Sequence, residues 1–132
     1  MESSEESIFS NYLLSILLVL QQWPQLEKEV ISIIRESRIE VSHLNLTETI
    51  KSIKPAAEGG EVVDFKNKRE EYWLDLFRKA YLKFLAAEKL LKTQEFEFDI
   101  EFDTVREIKS DAKSDLRFII EEIVENRNIL PH

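Results

Sequence analysis

The chain has 132 residues, 43% of them hydrophobic, and its 26 acidic and 18 basic residues give a net charge of −8. This length fits one domain with a genuine core, and the apolar content excludes wholesale disorder. Cysteine is absent and there are only two histidines, which excludes disulfide bonds, thiolate nucleophiles, cysteine-based metal sites and histidine-rich ones; we expect a cytoplasmic protein without a metal or a cofactor.

The first predicted element is a helix over about residues 6–22, whose apolar side chains cover most of its circumference. Its apolar run, 8–20, is too short for a membrane span of about 20 residues. The run follows glutamates instead of the cationic start of a signal peptide, so we expect no membrane contact. A helix that is apolar on nearly all sides lies inside a core or in an interface, and Leu14 and Leu18 are our candidate interface residues.

Several shorter elements are predicted next. Trp23-Pro24 ends the first helix, and proline suits the first position of a second helix that runs to about residue 37. The segment RIEVSHLNL (38–46) is predicted to be extended. Thr47 is placed to cap a short helix after it, and EVVDF (61–65) is predicted to be another short strand.

Both glycines of the chain stand together in KPAAEGGE (54–61), where Pro55 also disfavours a helix before it. We expect a flexible loop at about 55–61 that separates two sub-segments of a single domain, 1–132. Scarce glycine beside abundant Ile, Glu and Lys is typical of proteins from thermophiles.

The clearest predicted helix covers 69–92 and carries a heptad-like seam. The seam residues step by four and three positions, a spacing that suits helix pairing; they are Trp73, Phe77, Ala80, Phe84, Ala87 and Leu91. Segment 66–93 holds eight basic and four acidic residues, a net charge of +4, in an otherwise acidic chain. Its bases could touch phosphates, and Lys79 and Lys83 are the candidate nucleic-acid-binding residues.

Residues 95–102 (EFEFDIEF) alternate between acidic and apolar side chains, which predicts a half-buried strand. One interpretation packs its apolar face on helices. A lone strand is only marginally stable, so the alternative is pairing with a strand of another chain, with Phe96, Phe98 and Phe102 as interface residues. Carboxylates two residues apart on a strand lie ~7 Å apart, too far for neighbours alone to grip one cation.

A capping box at Thr104 and Glu107 predicts the start of the last helix. After it, RNILPH (127–132) resembles the short Arg-Asn-x-x-x-His signature of the HEPN family of helical ribonucleases. The resemblance covers six residues. It implies that Arg127 would stabilise phosphate charge and that His132 would act as an acid or a base on RNA.

Together these elements predict a predominantly helical α+β domain, with four main helices in a bundle-like core and a small antiparallel β element. We expect a non-enzymatic protein-interaction subunit or adaptor that self-associates or docks into a larger complex. The alternative is a nucleic-acid-associated helical protein, including a HEPN-like ribonuclease that uses Arg127 and His132.

Overall fold

The computed structural model describes residues 13–53, 70–93 and 102–129 of the chain. Five α-helices account for most of these residues: α1 at 13–20, α2 at Pro24–Glu40, α3 at Leu46–Ser52, α4 at Glu70–Thr93 and α5 at Phe102–Ile129. A short 3-10 turn, Val41–His43, joins α2 to α3. Within the described ranges, no helix is long and apolar enough to cross a membrane.

The expectation of an α+β fold is wrong, because the described part of the chain contains no strand and is 93% helical. The segment 38–46, predicted to be extended, is the end of α2, the 3-10 turn and the start of α3. The predicted strand at 61–65 and the loop at 55–61 lie outside the described residues. So does segment 95–102, except for Phe102, which is the first residue of α5.

Helix α2 extends beyond residue 37 because its buried stripe extends as well. Leu26, Val30, Ile34, Ser37 and Val41 are buried and follow one another at helical spacings of four, four, three and four residues. Ser37 is fully buried within this otherwise apolar stripe. Because this one core position is polar, the apolar pattern of the sequence is interrupted at Ser37 and does not indicate that the helix continues.

The helix boundaries follow local chemistry, with two corrections. Trp23 precedes α2 and Pro24 is its first residue, as predicted. Helix α3 is capped by Asn45, whose side-chain oxygen accepts a hydrogen bond from the backbone N–H of Glu48 at 2.9 Å, so the predicted cap at Thr47 is wrong. Helix α5 begins two residues before Thr104, so the predicted capping box is wrong too.

Helices α4 and α5 form an antiparallel pair. The Trp73 ring near the start of α4 meets Phe118 in the second half of α5, with centroids 6.3 Å apart. Further along α4, the Phe84 ring lies under the Lys109 ammonium of α5, at 5.5 Å. Most of the seam predicted on α4 is buried in this way within the chain, so the seam is not a free surface for a partner helix.

The buried side chains form two clusters. The main core joins α1, α2, α4 and the part of α5 from Ala112 onward; its members are Leu13, Ile16, Leu20, Leu26, Val30, Ile34, Trp73, Phe77, Ala80, Tyr81, Phe84, Ala112, Leu116, Ile119, Ile120 and Ile123. The minor core joins the 3-10 turn, α3, the end of α4 and the start of α5; its members are Val41, Ile50, Ala86, Ala87, Leu90 and Val105.

Candidate interaction surface

Helix α1 carries apolar side chains on two opposite sides. Leu13, Ile16 and Leu20 are buried in the main core. Leu14 and Leu18 lie one helical turn apart on the other side, with 57% and 63% of their surface exposed, and Val19 beside them is 44% exposed. We call Leu14, Leu18 and Val19 the α1 face.

The α1 face lies on an uncharged stretch of a strongly charged chain. No residue of LLSILLVLQQ (13–22) is acidic or basic, whereas the chain as a whole has a net charge of −8. A surface of this kind cannot recruit a partner by ion pairing. A partner that bound there would draw its free energy of association from burial of apolar area.

Of the three candidate phenylalanines, only Phe102 is among the described residues. Phe102 begins α5, is about half-exposed, and has the Arg106 guanidinium 5.9 Å from its ring centre. Phe96 and Phe98 lie outside the described residues. The pairing of segment 95–102, within the chain or between chains, stays a prediction.

Two exposed apolar side chains were missed as candidate interface residues. Ile39 is 67% exposed near the end of α2, because the extended helix turns it away from the stripe that contains Ser37 and Val41. Val19 is the second. The sequence carried a signal for Ile39, since it falls off the helical spacing of its buried neighbours in α2.

Lys79 lies on the surface of α4, where a neighbouring acid engages it. The Asp75 carboxylate accepts from Lys79 at 3.0 Å and from Arg78 at 3.2 Å. Burial acts to raise the pKa of Asp75, but hydrogen bonds and charge from Lys79 and Arg78 outweigh it and lower that pKa below 3.8. This part of α4 is therefore a mixed-charge surface and not a basic patch.

Lys83, the second candidate base, is buried. Only 9% of its surface is exposed, and its ammonium donates a hydrogen bond of 2.7 Å to the backbone carbonyl of Ile53, just after α3. This burial leaves a phosphate little access to the ammonium. Lys83 therefore contributes to the packing of α3 on α4 and not to the charged surface.

A second polar contact joins α2 to α4. The Arg38 Nε–H donates to the hydroxyl of the fully buried Tyr81 at 3.1 Å. Burial raises the pKa of this phenol, and the charge of Glu88 adds to the rise, while Arg38 opposes it. The hydroxyl therefore stays protonated at physiological pH and serves as a neutral acceptor in the packing of the helices.

The candidate catalytic pair, Arg127 and His132, lies almost entirely outside the residues that the structure describes. The backbone of Arg127 belongs to α5, but its side chain and all of His132 are outside the described residues, so a meeting of the two stays a prediction. In the parts of the chain that the structure describes, no group of three or more His, Asp or Glu side chains could hold a metal ion.

Comparisons with protein-family models, with curated proteins and with solved structures found no match to this chain. Its function must therefore be inferred from its own residues.

Proposed function

We propose that this protein is a non-enzymatic interaction subunit that self-associates through the α1 face. The exposure of Leu14 and Leu18 carries the proposal. Each leucine leaves more than half of its surface in water, and burying that remainder is worth somewhat more than half of the roughly 1.5–3 kcal/mol of a fully exposed leucine. Two such side chains one turn apart make a short apolar stripe, which is how helices recognise grooves and other helices.

A second copy of the chain is the occupant that fits this stripe. A two-fold interface brings a surface patch against itself, so the patch must be compatible with its own charge. Residues 13–22 carry no charge, and two copies of the α1 face can therefore meet without placing like charges opposite one another. A basic partner would be drawn to the acidic parts of the chain instead.

The size of the patch sets the expected strength of association. A standard interface buries about 800 Å² on each partner, and three partly exposed aliphatic side chains supply only part of that area. The contact must extend over the polar neighbours of α1, such as Gln21 and Gln22, which are exposed. We expect a dimer with a Kd in about the micromolar range or weaker, which dissociates on dilution.

Binding to nucleic acid is not favoured by the described residues. Lys79 and Arg78 both pair with Asp75, and Lys83 is buried against the Ile53 carbonyl. Tight phosphate binding needs several free cations on one face. The two lysines that motivated the alternative therefore lend it little support.

The decisive experiment is the solution mass measured by sedimentation over a wide range of concentration. We expect a mass that rises from monomer to dimer for the natural sequence and stays monomeric when Leu14 and Leu18 are both changed to Glu. Both positions are exposed, so the folded chain tolerates the new charges and its circular dichroism should be unchanged.

A matched control separates the α1 face from a general effect of charge. Ile39→Glu removes an equally exposed apolar side chain and adds the same charge as Leu18→Glu, on a different helix. At high salt it should leave the association constant unchanged, whereas Leu18→Glu should weaken that constant at least tenfold. A natural sequence that remains monomeric at all concentrations, or an equal loss in both variants, would refute the proposal.

A further inference from the structure

Helix α4 is buried on two sides, and its buried residues belong to two different clusters. Phe84 marks the side that faces α5, since Lys109 lies over its ring. Ala86 stands about 200° further around the helix, yet none of its surface is exposed. Ala86 is buried in the minor core together with Val41 and Ile50, to which α5 contributes only Val105 among the buried members.

The segment that contributes Val41 and Ile50 to this cluster is residues 41–53, which comprises the 3-10 turn and α3; we call it the strap. The strap contacts α4 along both of its elements. At its far end, Lys83 of α4 donates to the Ile53 carbonyl at 2.7 Å. Just before its near end, Arg38 donates to the Tyr81 hydroxyl.

The helical part of the strap depends on this docking. Helix α3 has only seven residues, and isolated helices shorter than about 12–15 residues are marginal in water. Asn45 caps its first turn. The last carbonyls of a helix receive no backbone N–H from within it, and Lys83 brings a positive charge to that end of α3, where the helix dipole is negative.

The two cores differ greatly in size. Among the described residues, the minor core contains six buried apolar side chains and the main core sixteen. Only Val41 and Ile50 of the minor core belong to the strap. Detaching the strap would therefore expose little apolar area and would leave the main core intact, as in the local unfolding of small cooperative units.

We propose that the strap opens and closes over α4 as a local unit, independently of the main core, and that Lys83 is the latch that holds it closed. When the strap opens, the side of α4 that contains Ala86 becomes accessible to solvent. The opening equilibrium depends on the hydrogen bond from Lys83 to the Ile53 carbonyl and on the burial of Ile50.

Because the chain contains no cysteine, a single introduced thiol reports opening at one site. Ala86→Cys places a thiol beneath the strap, and Ala112→Cys places one in the main core. We expect the thiol at position 86 to react with a disulfide reagent at least tenfold faster than the thiol at 112. Its rate should also depend less on urea, because local opening exposes less surface than global unfolding.

The latch is tested by Lys83→Met in both reporter backgrounds. Loss of a hydrogen bond from a charged donor should speed labelling at position 86 by about tenfold and leave position 112 unchanged. Lys79→Met, one turn earlier on the surface of α4, should change neither rate. The latch would be refuted if Lys83→Met left the rate at position 86 unaltered, or raised both rates equally.

A Lys83→Met variant that does not fold still leaves the comparison of the two thiols in the natural background. If the thiols at 86 and 112 react at the same rate with the same dependence on urea, the strap opens only with the whole molecule and the proposal fails.

Discussion

Lys79 and Lys83 lie one turn apart on α4, but Lys83 contacts the strap, residues 41–53. The two lysines therefore have different roles. Lys79 reaches solvent and pairs with Asp75, while Lys83 lies beneath the end of α3 and donates to a main-chain carbonyl. Sequence alone treats the two lysines alike. The partner of Lys83 is a backbone atom thirty residues earlier, and no side-chain pattern identifies such a contact.

Glu122 allows a prediction at the same scale. Burial raises the pKa of its carboxyl above 4.5, and the nearby charges of Glu125 and Glu121 add to the rise. A raised carboxyl pKa means that the folded state holds this proton more tightly than the unfolded state does. The ionised group therefore destabilises the fold at neutral pH, and the penalty disappears as the pH falls through the raised pKa.

We expect Glu122→Gln to stabilise the protein at pH 7 by about a few tenths of a kcal/mol, the usual size of like-charge repulsion between neighbouring helical turns. The benefit should vanish once the pH falls below 4.5. Urea unfolding at pH 7 and at a pH below 4.5 measures the difference in stability between the variant and the natural sequence. Glu107→Gln, at an exposed position, is the control. A variant that is less stable at pH 7 would contradict this account.

At the scale of the elements, helical periodicity located the helices better than it located their ends. The apolar stripes of α2, α4 and α5 repeat every three or four residues, and tertiary burial enforces that repeat. The prediction that 38–46 is extended was wrong because Ser37 is a polar residue at a buried position. Because the alternation that followed was only a few residues long, it could not distinguish a strand from a helix with one polar core residue.

Periodicity also does not indicate which helix packs against an apolar seam. The seam on α4 was correctly expected to be apolar, but α5 of the same chain covers it, as the contact between Trp73 and Phe118 illustrates. A repeat of three and four residues specifies that a helix pairs, not with what. The exposure of Leu14 and Leu18 could be anticipated because a core accepts one side of a surface helix and leaves the opposite side in water.

The cap of α3 gives a test that distinguishes the structure from the sequence pattern. Asn45→Ala removes the oxygen that accepts from Glu48 N–H and should cost about 1 kcal/mol. Thr47→Ala, at the position that the sequence favoured, lies inside α3 and should cost little, because alanine is the better helix former. Hydrogen exchange of the α3 amides measures both effects, and a larger loss at Thr47 would contradict the observed cap.

At the scale of the whole molecule, net charge and local neutrality act against each other. Two chains that each carry −8 repel one another, and this repulsion disfavours a dimer at low ionic strength. The α1 face lies within an uncharged stretch, residues 13–22, so salt has no attractive ion pair to weaken there. Screening should therefore remove only the repulsion, since the Debye length falls from about 30 Å at 0.01 M salt to about 3 Å at 1 M.

Because salt screens the repulsion between the chains and weakens no ion pair at the α1 face, added salt should favour association. We expect association of the natural sequence to strengthen as NaCl rises from 20 to 500 mM, measured by sedimentation equilibrium at fixed protein concentration. The variant with Glu at Leu14 and Leu18 should remain monomeric throughout. Ile39→Glu, which adds charge away from the α1 face, should associate as the natural sequence does at high salt and slightly less at low salt. Association that weakens as salt rises would mean that ion pairs hold the copies together, and the contact would then lie on a charged part of the surface and not on α1.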